Sequence, residues 1–337
     1  MKDENLCGCT LLRMEDMENA FLCGFDYVEF MGKYLVSLSE QEFAVLKKQT
    51  ESYPLKVYAL NAYCPPEIRM TGDGFDLRQA KAYAAACAKR AGKLGIRFVG
   101  IGSPRSRSLS EGYDRTLAIR QMKDFLKATA EEFGHYGITV CVEPLAVCYS
   151  NFINYVWEAV RLVEEMDCEN IKAVIDFYNM EHMGEGDLDL RKWMPYIVHA
   201  HISDDDGTPD MRSFFRPEKK TVHRQRIRRL YENGYTGAVS VEVDIPVDRK
   251  RAADTLQVMR LQRNFKNSEA PDSAQMDIRM QSSRKSIYNK CADRCEAELL
   301  MGGTGFVYKR PESYYKRSHY RSDTCAQHVS ASAEESR

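Results

Sequence analysis

Short apolar runs and longer amphipathic stretches alternate along this chain with little interruption as far as about residue 262. Runs rich in Val, Ile and Ala, with no polar alternation, predict strands buried on both faces, as in parallel sheets. They fall at residues 6–10, 27–31, 55–60, 96–101, 139–143, 171–176, 197–201 and 238–242. Between them, apolar positions recur at helical spacing, with start and stop signals. Ser39 with Glu42 three positions on forms a capping box. An Ala-rich helix over 76–94 stops at Gly95, and one over 113–133 stops near Gly134 and Gly137. Further helices are expected at 14–22, 152–166, 188–194, 223–232 and 249–261. Eight strand–helix units in roughly 250 residues predict an α/β fold, a closed (β/α)8 barrel. A doubly wound open sheet is the alternative, but it would gather ligands at one switch point.

In such a barrel the C-terminal ends of the strands open on one mouth. Four runs end on a residue able to bind a metal: Thr139-Val-Cys-Val-Glu143, Ile171-Lys-Ala-Val-Ile-Asp176, Ile197-Val-His-Ala-His201 and Ala238-Val-Ser-Val-Glu242. Three carboxylates and an imidazole suit a divalent cation, Mn2+ first, with Mg2+ or Co2+ as alternatives. Glu143 and Glu242 are candidate bases, since a strand-end carboxylate can face substrate with its second oxygen. Glu29, at the end of the second strand, is placed to meet substrate hydroxyls or to form an ion pair across the mouth. His199 lies one strand period before His201 and shares its side, either orienting a ligand or touching substrate. Arg105 and Arg107, in a Gly/Ser/Pro loop after the fourth strand, are candidates to grip a substrate phosphate or carboxylate. His135, His182 and His223 read as surface or loop residues.

A net charge of −1 over 337 residues offers no field to draw nucleic acid or an anionic membrane. No apolar run approaches the roughly 20 residues that span a bilayer. Leu6-Cys-Gly-Cys9 lacks the apolar segment that a lipoprotein signal requires. Eleven scattered cysteines, several inside apolar strands or helices (Cys64, Cys87, Cys141), point to a reducing, cytoplasmic setting. Neither Cys7-x-Cys9 nor Cys291-x-x-x-Cys295 has a partner pair at zinc-site spacing. After about Lys266 the composition turns to Ser, Arg, Lys and Tyr with no sustained period, and Gly302-Gly-Thr-Gly305 is an isolated turn cluster. The chain therefore reads as a barrel over 1–265 and a poorly ordered appendage over 266–337 with no assigned function.

Several segments together carry a family resemblance: Gly24-Phe-Asp-Tyr-Val-Glu29, Gly102-Ser-Pro-Arg-Ser-Arg107, Val142-Glu-Pro-Leu145 followed by Ser150-Asn151, Asp176-Phe-Tyr-Asn179, His199-Ala-His-Ile-Ser-Asp204, and Gly234-Tyr-x-Gly237 leading to Ser240-Val-Glu242. From the N-terminus to about residue 262, the chain resembles the sugar phosphate isomerase/epimerase superfamily with its xylose isomerase-like barrel. That group includes ketose 3-epimerases, hydroxypyruvate isomerase and inosose dehydratase, and more distantly the AP endonucleases. The resemblance implies that Glu143, Asp176, His201 and Glu242 are the metal ligands, and that the two glutamates exchange protons with substrate from opposite faces. It implies a metal-dependent isomerase or epimerase of a small sugar or sugar phosphate, acting through a metal-bound enediolate, and often dimeric or tetrameric. A metal-dependent dehydratase of an inosose-like ketone and a non-catalytic sugar-binding barrel are the alternatives. An AP endonuclease would need further His and acidic ligands for a three-metal cluster, and the near-neutral charge argues against DNA. Three positions depart from the pattern. Asn179 stands where the family has a substrate-contacting His. Ala146-Val147 and then Tyr149 replace an Asn-Arg and a sugar-binding Glu. No basic residue is evident in Asp204-Asp-Asp-Gly-Thr208.

Overall fold

The computed structural model describes residues 5–207 and 211–261. Eight parallel strands close into a barrel: β1 (Cys7–Thr10), β2 (Tyr27–Met31), β3 (Lys56–Asn61), β4 (Phe98–Ile101), β5 (Thr139–Val142), β6 (Ile171–Asp176), β7 (Ile197–Ile202) and β8 (Ala238–Val241). Sequence neighbours pair in order, and β8 closes on β1 with Cys9 opposite Val241. Helices flank the strands, so both faces of the sheet are covered, and Val140, Val142, Ile171, Ala200 and Val239 are all buried. That double burial is why the strands read as apolar runs rather than alternating ones.

Helix boundaries follow from their caps. Asp76 accepts hydrogen bonds from the Arg78 and Gln79 amides at the start of Leu77–Leu94, and Gly95 ends that helix at φ 74°. Ser39 and Glu42 make both bonds of the capping box at the start of Glu40–Glu51. The region after β6 differs from expectation. Its helix is Phe177–His182, starting directly from the strand, and 191–196 is a 3-10 turn rather than part of a helix over 188–194. Asp176 serves as both strand end and N-cap, accepting from the Tyr178 amide at 2.9 Å. Six residues with Phe177 to Met180 all buried leave no amphipathic repeat to read. The short helix Gly32–Ser37 was likewise unpredicted. It needs Gly32, because a Cβ there would lie 2.6 Å from the Tyr63 carbonyl oxygen. The expected tail, 266–337, and the Cys291/Cys295 pair lie outside the described residues. No helix among the described residues is long and apolar enough to cross a membrane.

Glu185 is a buried carboxylate outside the set of expected ligand residues. It accepts the Val156 amide at the start of Val156–Met166 (3.1 Å). Burial, with the charge of Glu158, pushes its pKa from 4.5 up to about 7. A carboxyl that binds its proton more tightly when folded stabilises the fold below its unfolded pKa and loses that contribution as pH rises through about 7. Glu185→Gln keeps an acceptor for Val156 without the charge. The stability difference, variant minus wild type, is expected to become more favourable by up to about 3 kcal/mol between about pH 5 and about pH 8. Urea denaturation at the two pH values checks this, and a flat difference would refute it.

Candidate metal centre and acid–base site

The strand ends bring the four expected ligand residues to one end of the barrel. Asp176 on β6 and Ser240 on β8 both sit opposite His201 on β7. Glu242 lies two residues beyond Ser240, hence on the same side of its strand. The Glu242 amide continues the sheet to the Ile202 carbonyl at 3.0 Å, and Glu143 follows β5 directly. Glu143, His201 and Glu242 each offer one ligand atom, all within 4.8 Å of one another. His201 Nδ1 lies 3.6 Å from Glu143 Oε1 and 3.4 Å from Glu242 Oε2. Asp176 joins this group through Arg212, whose Nη1 donates to Asp176 Oδ2 and Glu242 Oε2, both at 2.6 Å.

The imidazole of His201 is fixed from behind. Its Nε2 donates to Glu29 Oε2 (3.2 Å), and His199 Nε2 donates to the other oxygen of the same carboxylate (2.6 Å). Ser240 Oγ also donates to Glu29 Oε1 and in turn accepts from the Tyr27 hydroxyl at 2.5 Å. With Nε2 committed to Glu29, Nδ1 is the ring atom left to face the two carboxylates; it is buried with no hydrogen-bond partner, and offers a lone pair once its proton is lost. With that proton gone, three acceptors turn on one point and suit a divalent cation. Glu29 is held well below the usual carboxylate range: burial works against its charge, but His199 and His201 outweigh it. Burial is opposed at His201 too, where Glu29 and then Glu242 raise the imidazole well above its ordinary value. Burial pushes the Glu143 carboxyl up, helped by the nearby Glu242 charge. Glu242 is lowered because Arg212, followed by His201, more than offsets burial.

Not every expected substrate contact faces the mouth. Glu29 is 0% exposed and its oxygens are taken by His199, His201 and Ser240, so it acts as a positioning residue. His199 is buried against Phe98 with ring centroids 5.6 Å apart. Arg107 is sealed inside, donating to the carbonyls of Ile101 (3.2 Å), Glu143 (2.6 Å) and Ile153 (3.4 Å), which spends its guanidinium on the loops. Arg105 is exposed in the short helix Pro104–Arg107, and its carbonyl accepts from Arg69. Asn179 donates to Asp176 Oδ2 (2.7 Å) and accepts from the Ala146 amide (3.1 Å), clamping a ligand to the strand-five loop. His223, expected at the surface, is fully buried, stacked on Phe215 and bonded to Asp204.

Sequence reasoning missed Arg212 and Asn61. Arg212 was sought among residues 204–208, but it lies further along the chain, where a two-residue antiparallel ladder pairs Asp204–Asp205 with Arg212–Ser213. Asn61 ends β3 and donates to Glu242 Oε1 at 3.1 Å. A polar residue closing an apolar run was the available signal for it.

Gly102 also shapes the site. A Cβ at this position would lie 2.3 Å from Glu143 Oε2. Because Glu143 is buried and this oxygen is the end of its side chain, Gly102→Ala is expected to turn its carboxylate away and weaken divalent-ion binding by about 10-fold or more, with folding retained. Calorimetric titration beside a circular dichroism melt tests this, and unchanged affinity would contradict it.

The family profile described as "Xylose isomerase-like TIM barrel" matches residues 17–263. The D-psicose 3-epimerase of Agrobacterium fabrum (strain C58 / ATCC 33970) is 22% identical over 231 residues, covering 67% of this chain and 77% of that protein. The apo structure of the E. coli 3-keto-D-glucoside 4-epimerase YcjR superposes with a TM-score of 0.61 at 19% identity, covering 76% of this chain and 98% of that one. The structure of IOLI protein with a binding zinc atom gives a TM-score of 0.57 at 17% identity, covering 77% and 97%. At such identities these superpositions speak for the fold.

Proposed function

Because the chain belongs to the xylose isomerase-like TIM-barrel family, we propose that it is a divalent-metal-dependent epimerase or isomerase of a small ketose, polyol-derived ketone or sugar phosphate. The observation that carries this reading is the unpartnered Nδ1 of His201 facing the carboxylates of Glu143 and Glu242. Oxygen-rich ligation with one imidazole suits Mn2+ best. Held by Glu143, Asp176, His201 and Glu242, such an ion would polarise adjacent carbonyl and hydroxyl oxygens and acidify the C–H between them.

The protein's own part is to place two carboxyl groups on either side of that carbon. Glu143 and Glu242 follow β5 and β8, three strands apart around the barrel, so they reach the mouth from different directions. The Glu242 side chain keeps 15% of its surface exposed, against 6% for Glu143. Glu242, the more exposed of the two, suits proton removal, and Glu143 suits proton return from the other face. Delivery from the opposite face epimerises, whereas return from the same face isomerises.

The test is proton exchange. Metal-loaded protein incubated in D2O with a panel of ketoses, inososes and ketose phosphates is expected to place deuterium on the carbon beside the carbonyl, with chelated protein as control. No incorporation across the panel by folded, metal-loaded protein would overturn the proposal.

A further inference from the structure

We infer that Arg212 is a displaceable internal cation: without a metal it holds the two carboxylate oxygens that an ion must take, and ion binding expels its guanidinium. This rests on reading Glu143, Asp176, His201 and Glu242 as a metal centre. A single nitrogen, Nη1, sits 2.6 Å from Asp176 Oδ2 and 2.6 Å from Glu242 Oε2, on two different strands. The companion oxygens have other partners. Asp176 Oδ1 accepts the Tyr178 amide and Glu242 Oε1 accepts from Asn61. The pair that Arg212 bridges is Asp176 Oδ2, which also accepts from Asn179 at 2.7 Å, and Glu242 Oε2, which lies 3.4 Å from Nδ1 of His201. A divalent ion binds such oxygens at about 2.0–2.2 Å. An ion bound there and the guanidinium nitrogen would be two unshielded cations within bonding distance of the same atoms, so only one can stay.

The surroundings allow the side chain to leave without unfolding its loop. The Arg212 backbone is pinned on both sides: its amide donates to Asp244 Oδ2 (3.3 Å) and its carbonyl accepts from the Asp244 amide (3.0 Å). Asp204, at the other end of the ladder, is tied to the Arg216 amide and to His223. Beyond the two carboxylates, the guanidinium of this buried, long side chain makes ring contacts, 4.9 Å to the Tyr178 ring and 5.8 Å to the Tyr149 ring. Those aromatic faces already flank the guanidinium and would keep contact with it as it slides off the carboxylate oxygens. The loop thus keeps the acidic cluster neutralised and folded until an ion replaces the guanidinium.

The experiment is Mn(II) titration of metal-stripped full-length protein by calorimetry, wild type beside Arg212→Met. The variant is expected to bind at least about tenfold more tightly, because the ion no longer competes with a charged hydrogen-bond donor. Metal-free Arg212→Met should also melt below the metal-free wild type, so the rise in Tm on adding Mn(II) is larger in the variant. If Arg212→Met does not fold without metal, Arg212→Lys carries the test with a several-fold gain expected, since an ammonium reproduces the bridging contact less well. A direct readout is the 15N signal of the Arg212 guanidinium, assigned by its absence from the variant and expected to shift on saturation with Mg(II). Wild type binding one ion per chain with the variant equal or weaker, or a guanidinium signal unmoved at saturation, would overturn the inference while sparing the metal centre. Binding by neither protein would remove both.

Discussion

Replacing Glu242 with Gln is expected to slow exchange of substrate-bound hydrogen with solvent by about 10³-fold or more while the barrel stays folded. The amide keeps the shape of the side chain and can still accept from Asn61, but it cannot take a proton. It also leaves Arg212 with Asp176 as its one carboxylate partner at the centre, so the charge balance of the mouth changes. Loss of the base alone accounts for about 10²–10⁴, and weaker ion binding adds to it. The two contributions separate when exchange is measured at saturating Mn(II) with occupancy read by metal analysis. A loss below about tenfold at full occupancy would take Glu242 out of the proton transfer.

The second large effect is on stability. Arg107→Met is expected to cost about 4 kcal/mol and to lower the Tm by roughly 10 °C. Arg107 is a fully buried cation, pulled by burial to about 10 and so still charged near neutrality. Its donors serve three carbonyls from the ends of β4 and β5 and from the loop beyond. Methionine fills similar volume but removes the Arg107 donor from the Glu143 carbonyl and leaves those of Ile101 and Ile153 with one backbone amide each, from Glu143 (3.4 Å) and Leu145 (3.1 Å). One of them belongs to Ile153, a β-branched residue held at φ 57°, a conformation that persists when surrounding bonds over-determine it. Because Glu143 is bonded through its carbonyl, the same change should loosen a metal ligand as well as the fold. Thermal melts give the first effect, and a Tm within about 2 °C of wild type would reject it.

The barrel was legible because each of its eight strands is buried on both faces and reads as an apolar run, and because Ser39, Asp76 and Gly95 mark helix ends in a local code. The helix Phe177–His182 escaped because all-round burial removes its periodic signature. At the site, Glu143, Asp176, His201 and Glu242 stand out since strand ends place them, and strand ends are read from the chain. What each side chain bonds to depends on tertiary neighbours that have no trace in local sequence. Glu29 and Arg107 look the same in sequence whether they face solvent or are sealed, and only the packing around them separates the cases. Arg212 was missed for a different reason: loop length sets its position, and no periodicity governs a loop.

The shared carboxylate of Glu29 has an evolutionary consequence. Three donors from two other strands, His199, His201 and Ser240, meet on it, and Tyr27 leans on Ser240. No member of this set can be exchanged singly without stranding another in the interior. Across related barrels these positions should therefore change together or not at all, as one inherited block. Arg105, exposed on its loop, has no such obligation. New substrate preferences should accordingly arise by drift along the rim, above a floor that lineages inherit intact.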